Sequence, residues 1–135
     1  MKTITTILLA AYLLSSFSCT RSDSTSETIN MKQQVYTLGV WHVEDGKQLE
    51  FITAWKGLGE IFEALPDPPG KGILIQSTLD STQFYSFGPW DSMEAIETMR
   101  NNQHAQKGIQ KLIDLCTEAT PGSFHVVAES PEPGG

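Results

Sequence analysis

Apolar and polar residues repeat along this chain with two periods, and each change of period marks an element. Val35–Val43 (VYTLGVWHV) is dense in β-branched and aromatic residues and reads as a first strand, closed by Asp45-Gly46. From Lys47 to Leu65 the apolar positions Leu49, Ile52, Trp55, Leu58, Phe62 and Leu65 fall three or four apart, with Phe51 and Ala54 widening the stripe, so a helix is predicted. Pro66-Asp67-Pro68-Pro69-Gly70 breaks it. Ile73–Leu79 reads as a second strand, and Asp80-Ser81-Thr82 as the turn into a third that carries Phe84, Tyr85 and Phe87. Gly88-Pro89 is expected to stop regular pairing, because proline donates no backbone hydrogen bond, and Asp91 with Glu94 reads as a capping box. Trp90 then sits where strand hands over to helix. Met93, Ile96 and Met99 follow helical spacing, and a bend at Asn101-Asn102 precedes a resumed helix through Ile109, Leu112, Ile113 and Cys116. Pro121-Gly122 ends it, and Ser123–Glu129 reads as the last strand.

This order implies an α+β fold of the ferredoxin-like βαββαβ kind, a four-stranded antiparallel sheet with helices on one face. A sheet face open to water should be polar, yet large residues stand on both faces: Val35 and Trp41 oppose Tyr36, Leu38 and Val40, and Phe84 opposes Tyr85. Two helices cannot cover both. The economical cover for the second face is the same face of another copy, so a C2 homodimer is expected.

With 135 residues the chain has room for one domain, and its formal charge of −7 becomes −8 once residues 1–18, whose only charge is Lys2, are set aside. Without a Lys/Arg cluster to meet phosphates, nucleic-acid binding is not expected. Residues 1–18 read as a signal peptide: Lys2, an apolar run from Ile4 to Leu14, then Ser15-Ser16-Phe17-Ser18 before Cys19. The run is too short for a membrane span. Its end resembles the lipobox of bacterial lipoproteins, which implies lipid on Cys19 and a periplasmic or outer-surface, membrane-anchored protein; Ser16 stands where such boxes usually carry leucine. Ser16-x-Ser18 also suits an ordinary signal peptidase. Residues 19–32 read as a flexible tether, 33–129 as the domain and 130–135 as a disordered tail. If Cys19 carries lipid, Cys116 alone remains, and no disulfide forms within one mature chain.

The aromatic strand ending in Trp90, the following Asp91–Ala95 (DSMEA), His104 and the order of elements together resemble the antibiotic biosynthesis monooxygenase (ABM) domain family of the dimeric α+β barrel superfamily. The resemblance covers about Val35 to Ala128. It implies a homodimer with a pocket between helices and sheet in each protomer, and oxygen chemistry on a small aromatic, quinol-like compound without a cofactor. Haem-binding relatives place an iron ligand nine or ten residues after that tryptophan, where this chain has Met99 and Arg100, so haem is not supported. The implied pocket draws on Trp41, His42, Trp55, Tyr85, Phe87 and Trp90, with His104 as the candidate catalytic residue that takes a phenolic proton. The bland readings stand beside these roles: Trp90 as a core residue sealing the joint, His104 as a surface histidine at a helix bend. The histidines lack metal-ligand spacing, and neither a nucleophile elbow nor a phosphate loop occurs. The non-enzymatic alternative is a dimer that binds a hydrophobic small molecule in the cell envelope.

Overall fold

The computed structural model describes residues 34–134, so the expected signal peptide, Cys19 and the whole tether lie outside the described residues. The elements are β1 (Val35–Val43), α1 (Gln48–Glu63), β2 (Ile73–Gln76), β3 (Gln83–Trp90), α2 (Met93–Arg100), α3 (Gln103–Asp114) and β4 (Cys116–His125). The four strands form one antiparallel sheet in the order β2-β3-β1-β4. This is the ferredoxin-like fold, with the second helical region split in two.

The split follows from local chemistry. Asn102 adopts an extended backbone, and its side chain accepts the Ala105 N–H at 3.0 Å, capping α3 just after α2 has ended at Arg100. The cap of α2 departs from expectation: Ser92, not Asp91, accepts the Ala95 N–H, at 3.1 Å. Either residue type suits a cap, and Ser92 has the extended backbone that a cap takes. Ahead of β3, Asp80 accepts the Thr82 hydroxyl at 2.6 Å and the Thr82 N–H at 3.0 Å, which fixes the turn and holds the Asp80 carboxyl below its ordinary range.

Two strand boundaries also correct the sequence reading. Gly88-Pro89 does not stop β3, because pairing with β1 continues through Tyr36↔Pro89 to Val35↔Trp90. β2 has already ended at Ile73↔Phe87, so on that side Pro89 meets a loop, and its carbonyl accepts the Gly70 N–H at 2.8 Å. No ladder bond is lost to the missing donor. Similarly, Cys116 belongs to β4 and not to the preceding helix, and β4 runs through Pro121-Gly122. β4 lies at the sheet edge, where a strand accommodates proline readily.

All the helices' buried residues meet one face of the sheet. Trp41, Phe51, Phe84 and Leu112 centre one apolar cluster; Trp90, Ile96, Met99 and Ala105 centre the other. Phe62 and Ile109 pack against both. Aromatic contacts tie the layers, with ring centroids 5.6 Å apart for Trp41–Phe51, 5.2 Å for Phe51–Phe84 and 5.4 Å for the edge-on pair Phe62–Trp90. Burying each such side chain stabilises the fold by about 1.5–3 kcal/mol. The opposite face is built of rows: Ile75, Tyr85, Val40 and Thr120; Ile73, Phe87, Leu38 and Gly122; Pro89, Tyr36 and Phe124. No element among the described residues covers it.

Candidate functional site

Between helices and sheet lies a cavity of about 750 Å³, open at one side. All three tryptophans of the chain line it, with Leu58, Phe62, Met99 and Ile109 as further apolar walls. Trp41 and Trp90 belong to the sheet and are almost fully buried. Trp55, half-buried on α1, closes the side next to the 66–72 loop, where a Cβ on Gly72 would lie 3.5 Å from its Cζ2. Lys56, Glu60 and Glu63 from α1, Lys71 from the loop and Arg100 from α2 supply charged groups, all on exposed residues at the rim. The Arg100 guanidinium is anchored by Glu97 at 2.8 Å and by the Ser123 hydroxyl at 3.0 Å, tying α2 to β4.

The floor has an order that single-residue reasoning missed. Thr37-Leu38-Gly39-Val40-Trp41 on β1 and Ser86-Phe87-Gly88-Pro89-Trp90 on β3 share the pattern hydroxyl-x-Gly-x-Trp. Their antiparallel register sets Thr37 opposite Gly88 and Gly39 opposite Ser86, so the stretches are related by a local two-fold axis. Each indole N–H donates to the hydroxyl of the other stretch: Trp41 Nε1 to Ser86 Oγ at 2.9 Å, Trp90 Nε1 to Thr37 Oγ1 at 2.9 Å. Gly39 is required by this arrangement, since a Cβ there would stand 2.5 Å from the Trp41 ring. The signal was present in the sequence as the repeat, but only the register reveals that each hydroxyl partners the other strand's tryptophan.

Of the residues expected at the pocket, Trp41, Trp55 and Trp90 line this cavity with their side chains, while Phe87 borders it from β3 with its ring on the opposite sheet face. His42 and Tyr85 do not: both belong to the opposite sheet face, where His42 Nε2 lies 3.9 Å from Glu118 Oε1 and Tyr85 is 38 % exposed. Strand alternation is the reason, since His42 and Tyr85 each directly follow a core residue, Trp41 and Phe84. His104 is exposed on the first turn of α3 and borders a separate hollow of about 190 Å³ with Ile61, Ala64, Leu65 and Asn102. The larger cavity has no histidine in its lining. Met99 is its only sulfur group, and among the described residues no cluster of three or more His, Cys, Asp or Glu could hold a metal ion. The cavity wall therefore offers neither an imidazole nor a thiolate. Cys116 lies outside the lining, and desolvation pushes its thiol up to about 11, so it is protonated at neutral pH.

No protein-family model and no curated protein matches this sequence. Solved structures do. The chain is 17% identical to a variant of SnoaB, a cofactor-independent oxygenase from Streptomyces nogalater, over 74% of this chain and 97% of that one, with a TM-score of 0.64. PA3566 from Pseudomonas aeruginosa is 17% identical over 73% and 99% of the two chains, with a TM-score of 0.60. A protein described as an antibiotic biosynthesis monooxygenase is 10% identical over 71% and 99%, with a TM-score of 0.59. At these identities the likeness is one of fold.

Proposed function

We propose that this chain is an ABM-like protein whose tryptophan-lined cavity binds a small aromatic compound and oxidises it with molecular oxygen, without a cofactor. The observation that carries the reading is the cavity itself, about 750 Å³ with all three tryptophans in its wall and charge only at its rim. That volume and character suit a flat ligand of two or three fused rings. Its fold is shared with SnoaB, described as a cofactor-independent oxygenase, which supports the same class of chemistry here.

The reaction balances without a cofactor when the ligand supplies the electrons. A phenolic or enolisable ligand loses a proton, and Glu60 or Glu63 is the acceptor placed for it at the rim. The electron-rich anion then reduces oxygen. One oxygen atom becomes a new carbonyl on the ring, and the other leaves as water with the two hydrogens the ligand gives up. His104 is not part of this site, because it borders the other hollow.

The experiment is oxygen uptake by the purified protein with anthrone and a panel of quinols, against buffer alone and under anaerobic conditions. Uptake above the buffer rate, lowered at least tenfold by Trp55→Ala and unchanged by His104→Ala, supports the reading. A rate equal to buffer across the panel ends the oxygenase assignment for those compounds. The alternative, a non-catalytic hydrophobic small-molecule binder, is favoured by one feature: no histidine or asparagine lines the cavity. Native mass spectrometry of protein from its own host separates the two, since a binder retains an unoxidised ligand.

Export and assembly complete the proposal. Cys19 bears lipid and tethers the domain to a membrane outside the cytoplasm, which incorporation of labelled palmitate and its loss in Cys19→Ser would test. The uncovered sheet face, with Ile73, Ile75, Tyr85 and Phe124 each at least 38 % exposed, pairs with the same face of a second copy.

A further inference from the structure

The geometry points to Thr37 and Ser86 as a matched pair of hydrogen-bond donors that select ligands carrying oxygen acceptors. This inference rests on the reading of the tryptophan-lined cavity as the binding site. A hydroxyl offers one proton and two lone pairs. In both residues a lone pair is already committed, to Trp41 Nε1 at Ser86 and to Trp90 Nε1 at Thr37, each at 2.9 Å. Among the described residues neither hydroxyl proton has a protein acceptor. Both residues line the cavity, and Ser86 is only 9 % exposed, so its proton has nowhere to go but into that space.

The indole bonds also fix direction. An N–H arriving on one side of a hydroxyl oxygen restricts the torsion that its own proton can take, so two free rotors become two aimed donors. The tryptophans keep no N–H of their own for the ligand at Trp41 and Trp90; they offer ring faces, and recognition of polar atoms passes to the hydroxyls. Because Thr37 faces Gly88 and Ser86 faces Gly39, the two hydroxyls are diagonal neighbours, on the order of 7 Å apart at Cβ. The glycines opposite them make room for what lies over the strands there, the Trp41 ring over Gly39 and the Gly72 backbone beside Gly88. A planar ligand stacked on the indole faces in the cavity meets both donors, which suits a ketone or phenolate oxygen on either edge of a fused ring system. Thr37 and Ser86 are positioning and specificity residues by this argument, and they stabilise a ligand anion better than its neutral form.

The test uses anthracene, anthrone and 9,10-anthraquinone, ring systems of nearly equal shape with zero, one and two acceptor oxygens. Binding is read as quenching of tryptophan fluorescence, corrected for absorption by the ligand. The purified protein is expected to bind anthraquinone at least tenfold more tightly than anthracene. Thr37→Val and Ser86→Ala are each expected to weaken anthraquinone about fivefold while leaving anthracene unchanged. Thr37→Ser and Ser86→Thr restore the preference. The infrared carbonyl band of bound anthraquinone is expected to lie at lower frequency than in hydrocarbon solvent and to move back in the double variant. Equal loss for anthracene and anthraquinone would mean that the hydroxyls only hold the indoles, and would overturn the inference, as would no preference in the parent protein. The conservative variants guard against loss of folding, since they keep the acceptor that each indole needs. An oxygen-uptake failure with the acceptor preference intact removes the oxygenase reading alone; uptake intact without the preference removes this inference alone.

Discussion

On the helix side of the sheet Trp41, Phe84 and Trp90 are at most 3 % exposed, whereas on the other side Ile75 and Phe124 are 49 % and 54 % exposed. The strands are the same, and both faces carry large apolar residues. What differs is the cover: α1, α2 and α3 close one face around a cavity, and nothing among the described residues closes the other. Side-chain chemistry alone therefore does not distinguish a pocket wall from a docking surface. The glycines do. Gly39 and Gly88 stand on the helix side, where the Trp41 ring lies over Gly39, while the opposite face presents Ile73, Ile75, Tyr85 and Phe124 to solvent.

The largest expected contrast is in folding stability. Phe51→Ala, on a residue with no exposure that touches both Trp41 and Phe84, is expected to cost about 3–5 kcal/mol in chemical denaturation. Phe124→Ala on the other face is expected to cost less than about 1 kcal/mol in the monomer. Equal losses would show that the outer face is as well packed as the inner one. Next, Gly39→Ala is expected to cost about 1–3 kcal/mol, because the added methyl forces the Trp41 ring from its place. Near-ultraviolet circular dichroism should report the displaced indole. A third contrast concerns assembly: Ile75→Lys should leave the denaturation midpoint of the monomer within about 0.5 kcal/mol but convert dimer to monomer in light scattering at micromolar concentration. A monomer in the unaltered protein would sink the idea that a second copy covers this face.

The smallest expected effect is the pH response of Cys116. Its thiol rises from an ordinary 9.0 to about 11 through desolvation, so the folded state holds this proton more tightly than the unfolded one. The resulting stabilisation is complete below about pH 9 and is lost as pH climbs through about 11. Denaturation midpoints should therefore drop over that interval, and less so in Cys116→Ala. Reaction of the native thiol with a disulfide reagent should be slow at pH 7 and accelerate across the same window.

Much of the architecture was legible beforehand, and the misses share a cause. β1 reads correctly as Val35–Val43 because its composition has no competing interpretation. The bend at Asn101-Asn102 is legible because asparagine caps a helix through its own side chain. By contrast, β3 continues past Gly88 and β4 through Pro121 because proline's cost in a strand depends on which neighbour lies beside it. A residue against a loop or an edge loses no bond; the same residue in mid-sheet would. Aromatic content points to Trp41, Trp55 and Trp90, whose side chains line the cavity. His42 and Tyr85 were assigned to the wrong face, and His104 to a site it does not border.

By itself, the chain's alternation and spacing determined the order of strands and helices, the apolar character of both sheet faces and the aromatic content of a cavity. These follow from backbone period and side-chain burial, which act over a few residues. Only the tertiary structure decided which face the helices cover, which hydroxyl each indole engages and which charged groups ring the opening. Those outcomes depend on the antiparallel register of β1 and β3 and on strand order, contacts between residues about fifty positions apart. A shift of one residue in that register would send every side chain of a strand to the other face.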